Sequence, residues 1–151
     1  MALEYDLELS TSMGSTRALE MLVRREGLGR DEDSSLLFGS TVTIHVSESD
    51  RMSRKAIERG FHFEPTLSVV FRFVSNTDYD NFSQLMLRAT ILLLEHAQDA
   101  VLLFNHETIV LQRLGGQLAF NSNYHIWDDD DQLRRMLSAP FERRPLPSPW
   151  M

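Results

Sequence analysis

The sequence predicts an α+β fold, a single domain with a mixed or antiparallel sheet and helices packed mainly on one face. Three observations carry this. The opening residues alternate with strand period, strand-like segments are separated by helical ones early and meander late, and one long amphipathic helix sits between the two regimes. The order is β-α-β-β-α-β-α-β-β-β-α, and it does not dictate strand order. With 151 residues, the chain suits one domain with a sizeable core.

Leu3, Tyr5, Leu7 and Leu9 face one way and Glu4, Asp6, Glu8 and Ser10 the other, as in a half-buried strand. Thr11 to Thr16 offers capping residues, and Leu19, Leu22, Val23 and Glu26 follow at helical spacing until Gly27 and Gly29 stop the helix. From Gly29 to Ser35 the chain is polar and reads as a loop. Leu36 to Phe38 and Thr41 to Ser47 are short strands around Gly39, the second alternating through Val42, Ile44 and Val46. Ser49 to Arg59 forms a short amphipathic helix with Ser49 or Asp50 as cap, Met52, Ala56 and Ile57 inward, and Gly60 at its end.

Thr66 to Ser75 is the strongest strand, with β-branched and aromatic residues on both faces, which points to a central position covered on both sides over part of its length. Asn76, Thr77 and Asp78 make a turn and cap. The core helix runs from about Tyr79 to Gln98 with the stripe Phe82, Leu85, Met86, Ala89, Leu93 and His96. Asp99 to Asn105, Thr108 to Leu114 and Gln117 to Asn121 form the meander, joined at Asn105–His106–Glu107 and at Gly115–Gly116. A last helix spans Asp129 to Ser138 with Leu133, Met136 and Leu137 inward. The domain thus covers residues 1–139, and residues 140–151, which hold four of the five prolines, form an irregular tail.

The formal charge of −7 argues against nucleic-acid binding, because neutralising phosphates needs a basic face. It suits a basic protein partner. Without cysteine there is no disulfide, thiolate nucleophile or thiolate-held metal. The N-terminus lacks the basic start and apolar run of a secretory signal, and Leu85 to Ala97, interrupted by Arg88 and Glu95, is too short to span a bilayer. The expectation is a cytoplasmic, soluble protein with no membrane contact and no cofactor.

No residue pattern points to catalysis. The five histidines lack ligand spacing, and His106–Glu107 are adjacent, so on a strand they would point to opposite faces. No G-x-S-x-G is present, and Gly115–Gly116 lacks the lysine of a phosphate loop. The densest charge is Asp128, Asp129, Asp130 and Asp131. It reads either as a solvated helix start that caps and complements the helix dipole, or as a docking surface for a basic partner. Tyr124 and Trp127 beside it either anchor an interface or pack under the last helix. Glu4, Asp6 and Glu8 offer a second acidic strip.

Several stretches carry a resemblance. Met1 to Leu9, Gly60-Phe61-His62-Phe63-Glu64-Pro65-Thr66 running into Val69 to Phe73, and Asp99 to Phe104 through Glu107 and Ile109 to Leu111 to Gly116, Leu118 and Asn121 together resemble the immunity proteins of the swarming-inhibition toxin systems. The likeness runs from Met1 to about Leu137 and is weakest between Leu28 and Ser53 and in the tail. It implies a cytoplasmic, non-enzymatic protein that binds and neutralises a cognate protein toxin. It carries no functional residue onto a named position, so the expected contacts rest on charge and aromaticity alone. The alternative is a small acidic chaperone for a secreted effector, which would dimerise around a partly unfolded client. A small hydrolase is a third. Oligomeric state and toxin chemistry are not legible.

Overall fold

The computed structural model describes residues 3–31 and 34–150. Among them, nine strands form one sheet in the order β2-β3-β4-β5-β1-β6-β7-β8-β9. The strands are β1 (Glu4–Thr11), β2 (Gly29–Arg30), β3 (Leu36–Phe38), β4 (Val42–Glu48), β5 (Leu67–Phe73), β6 (Ala97–Phe104), β7 (Thr108–Leu114), β8 (Gln117–Asn121) and β9 (Phe141–Arg144). Neighbours are antiparallel except β8 and β9, which are parallel. The α+β expectation holds.

The helices are α1 (Ser15–Glu26), α2 (Arg51–Phe61), α3 (Tyr79–Leu94) and α4 (Asp130–Met136). Leu19 and Leu22 of α1, Phe82, Met86 and Leu93 of α3 and Leu133 of α4 share one core with Tyr5, Leu7, Leu9, Ile44 and Phe71 of the sheet. Three helices therefore lie on one face, as expected. The exception is α2, whose Ile57 and Phe61 pack on the opposite face against Val101, Leu103, Ile109 and Ala119.

That second layer corrects the reading of β1. Its polar residues were expected to face solvent, but Asp6 and Glu8 are buried along with the apolar ones. In β5, only Leu67, Val69 and Phe71 are buried, and Arg72 is exposed. The strand with polar alternation is enclosed on both faces, as are β6 to β8, because α2 packs over β6–β8 with Ser49 at its start bonded to Glu8 of β1, and not over β5.

Several element details differ from expectation for local reasons. Within α2, only Ile57 and Phe61 are buried, Ala56 is exposed, and Met52 is 84% exposed. The helix passes through Gly60 and ends at His62, which takes the left-handed conformation (φ 64°). Gly60 instead lets the tail approach: a Cβ there would lie 2.9 Å from Pro149 Cγ. The core helix stops at Leu94, and His96 is exposed rather than on its stripe, because the chain turns into β6 at Ala97. Gly29–Arg30 pairs with β3 instead of looping. Gly115 (φ 59°) and Gly116 (φ 81°) do form the two-residue hairpin turn, where positive φ favours glycine.

The tail is not irregular throughout. Between Pro140 and Pro145 it supplies β9 at the sheet edge, where proline at the ends of a strand costs no ladder bond. Phe141 stacks edge-on against Phe120 at 5.4 Å. Beyond β9 the chain crosses to the second face, where Leu146 is buried and Asn121 clamps it. The Asn121 amide donates to Leu146 O (3.2 Å) and its Oδ1 accepts from Leu146 N (3.2 Å).

Candidate functional site

The aspartate run is largely absorbed by structure. Asp129 caps α4 by accepting from Gln132 N at 3.1 Å. Asp130 receives the Arg143 guanidinium at 2.6 Å, and Arg143 also donates to Trp127 O at 2.9 Å, tying β9 to the start of α4. Asp131 pairs with Arg134 one turn on, at 2.9 Å. Asp128 lies 3.4 Å from His125 and 4.0 Å from Arg143. Asp128, Asp129 and Asp131 are exposed, and the side chains of Asp128 and Asp131, which do not cap the helix, keep 57% and 81% of their surface open to solvent.

Both aromatics proposed beside the run face inward. Trp127 is buried, and its indole N–H donates to Ser83 O (3.1 Å) and Ser83 Oγ (3.2 Å). Tyr124 is half-buried, its hydroxyl 2.6 Å from that of Tyr5, which also meets the Tyr79 hydroxyl at 3.2 Å. Burial raises the pKa of both Tyr5 and Tyr124. Of the expected interface anchors, the structure thus gathers Tyr124 and Trp127 into the core side of the loop, with the aspartates outside it.

Glu4, Asp6 and Glu8 do not form an exposed strip. They line up on the second face of β1, beside the flank of α2. Ser49, immediately before α2, donates to Glu8 Oε1 (3.2 Å), and Ser68 of β5 donates to Glu8 Oε2 (2.5 Å). Ser68 Oγ is also 3.3 Å from Asp6 Oδ1. Burial, then a hydrogen bond to Asp6 and repulsion from its charge, push the Glu8 carboxyl up to about 9. Glu8 therefore holds its proton more tightly than an ordinary carboxyl, and Ser49 and Ser68 tie it to the start of α2 and to β5.

The β6–β7 turn supplies the third side. Asn105 (φ 49°) and His106 (φ 64°) both take left-handed backbone, which is uncommon outside glycine but which Asn and His tolerate better than most residues. Here Asn105 N donates to Glu4 O at 2.9 Å and Asn105 Oδ1 accepts from Glu4 N at 3.3 Å, fixing the turn on β1. The turn holds His106 with Nε2 3.5 Å from Glu4 and Nδ1 3.5 Å from Asp6. A hydrogen bond to Asp6 is the main reason that its pKa is raised above the usual histidine value.

These groups floor a cavity of about 540 Å³, within the range of ligand-binding pockets. Ala56 and Ile57 of α2, Leu103 of β6 and Trp150 of the tail wall it, and Arg59 and Glu107 stand exposed at its rim. Asp6 and Glu8 are bridged by the Ser68 hydroxyl rather than left as isolated charges. No group of three or more His, Asp or Glu placed to hold a metal occurs among the described residues. Sequence reasoning named Asp6 and Glu8 but not the cavity, since His106, Ile57 and Trp150 come from three distant segments.

Fold and site together define a single-domain α+β protein with an acidic-floored cavity on one face of its sheet. A family model described as SitI3-like matches residues 3–131, most of the chain, and the protein belongs to that family of swarming-inhibition toxin immunity proteins. This agrees with the resemblance drawn from the strand and turn segments. Searches of curated proteins and of solved structures found no match. No described helix is long and apolar enough to cross a membrane.

Proposed function

We propose that the chain is an immunity protein that binds a cognate protein toxin in the cytoplasm of the producing cell and neutralises it through the complex rather than through chemistry. The observation that carries this reading is the match to the SitI3-like family over residues 3–131. The acidic surface supports it, because a formal charge of −7 complements a basic toxin such as a nuclease. Asp128 and Asp131 are exposed contact residues of the run whose carboxylates are not used as the helix cap, and Glu4, paired with His106, is a further acid on β1. Asp129 and Asp130 act indirectly by holding that loop in shape.

The test is rescue. The toxin-like product of the adjacent gene is expressed in a sensitive host with and without this chain. Restored growth, together with a one-to-one complex of folded partners in size-exclusion chromatography with light scattering, is the expected result. No rescue despite soluble expression of both proteins overturns the pairing. A dimer of this chain around a partly unfolded client would instead identify a chaperone.

A further inference from the structure

From the cavity's shape and lining, we infer that it is a socket for one cationic side chain, an arginine or lysine that the toxin inserts between α2 and the β6–β7 turn. The inference rests on the immunity reading for the identity of the partner.

The walls and floor differ in chemistry. Ala56, Ile57, Leu103 and Trp150 are apolar, while Asp6 (7% exposed) and Glu8 (1% exposed) lie at the bottom. A long side chain with an aliphatic stem and a charged tip fits that order, stem along the walls and tip on the acids. The floor is also short of donors. Ser68 Oγ lies 2.5 Å from Glu8 Oε2 and 3.3 Å from Asp6 Oδ1, and its one proton serves the two acids between them. Ser49 serves only Glu8, and His106 reaches Asp6 only at 3.5 Å. Each carboxylate can accept about four hydrogen bonds, more than these neighbours supply. His106 pairs with Asp6 and Glu4, but among the described residues no cationic side chain pairs with Glu8, and a guanidinium or ammonium supplies both the charge and several N–H donors.

The sign of the occupant follows from depth. Arg59 is exposed at the rim, where water screens it, whereas Asp6 and Glu8 are at the dry end, where an anion would meet the Asp6 carboxylate directly. The socket also opens beside the uncovered half of the same sheet face. There His45 and Arg72 are exposed, Leu36 is 42% exposed and Phe38 43%, so a bound protein has a surface to rest on.

The experiment has two arms on the full chain. In the first, calorimetry measures toxin binding to the wild type, to Ala56→Trp, which fills the cavity from an exposed helix position, and to Asp6→Asn. Both variants are checked for an unchanged melting curve. Affinity reduced at least about tenfold in both supports the socket. Wild-type affinity in folded Ala56→Trp overturns it while leaving the immunity reading intact. The second arm needs no toxin. N-acetyl-arginine amide is titrated against the ¹⁵N-labelled chain, with N-acetyl-glutamate amide as the anionic control. Shifts at Asp6, Glu8 and His106 with the cationic probe, absent in Ala56→Trp, support the socket. No shifts, or equal shifts with the anionic probe, overturn it.

Discussion

Glu8 shows how a single residue can oppose the fold that contains it. Its carboxyl is buried at the centre of the sheet and pushed up to about 9, against an ordinary value near 4.5. Below 4.5 the folded and unfolded chains both hold the proton, so pH has no leverage through this group. Between 4.5 and 9 the unfolded chain releases the proton and the folded chain keeps it, so stability falls as pH rises through that window. His106 acts with the same sign, because its raised pKa means that its pairing with Asp6 and Glu4 is lost as pH rises. Glu8→Gln, which preserves shape and an acceptor but cannot ionise, raises the melting temperature by several degrees at pH 8 and by much less at pH 5. Thermal scans of both proteins across that range check this. An equal effect at the two pH values would show that Glu8 is already ionised in the folded chain.

At the scale of elements, the tail and the helices it touches hold each other in place. In Gly60→Ala, the gain of about 1 kcal/mol in helix propensity is set against a Cβ only 2.9 Å from the Pro149 ring and 3.1 Å from the Trp150 indole. The expected outcome is little change in global stability but a displaced tail, seen as a red shift in Trp150 emission and as faster amide exchange over residues 146–150. Trp127, buried elsewhere, stays as an internal reference. Arg143→Ala breaks the contacts to Asp130 and Trp127 O and is expected to cost about 1–3 kcal/mol in urea unfolding. A cost below about 0.5 kcal/mol would reduce that contact to an ordinary surface pair. These elements also mark the limit of what the sequence discloses. Hairpins and helix starts were legible because turn glycines and caps act over a few residues, as at Gly115–Gly116 and Asp50. The β9 strand was not, since its partners are far along the chain, with Asp130 lying 13 residues before Arg143 and the paired β8 residues Phe120 and Asn121 well before that, and its prolines mimic a loop. The second face was missed for a similar reason: only the position of α2 tells β1 that its acids are buried. The candidate site was half-visible, as acids without the walls that make them a cavity.

At the scale of the whole molecule, charge and shape make separate predictions about association. The chain carries a formal charge of −7, and the exposed Asp128 and Asp131 add to a field that reaches beyond any contact. Such a field acts while the partners are still apart, over a distance set by the Debye length, which shrinks from roughly 20 Å to under 10 Å between about 20 and 200 mM salt. Contacts already made in the complex are dehydrated and feel salt much less. For a basic toxin, the association rate is therefore expected to fall about tenfold over that range, with dissociation changed by less than about twofold. Reversing the two exposed charges in Asp128→Lys/Asp131→Lys lowers the association rate at low salt and flattens its salt dependence. Filling the cavity in Ala56→Trp acts the other way, since a blocked socket shortens the life of the complex and leaves the long-range field intact. Stopped-flow association and surface-plasmon dissociation measured on the same three proteins separate the effects. A salt-independent association rate in the wild type removes electrostatic steering as the means by which this protein finds its toxin.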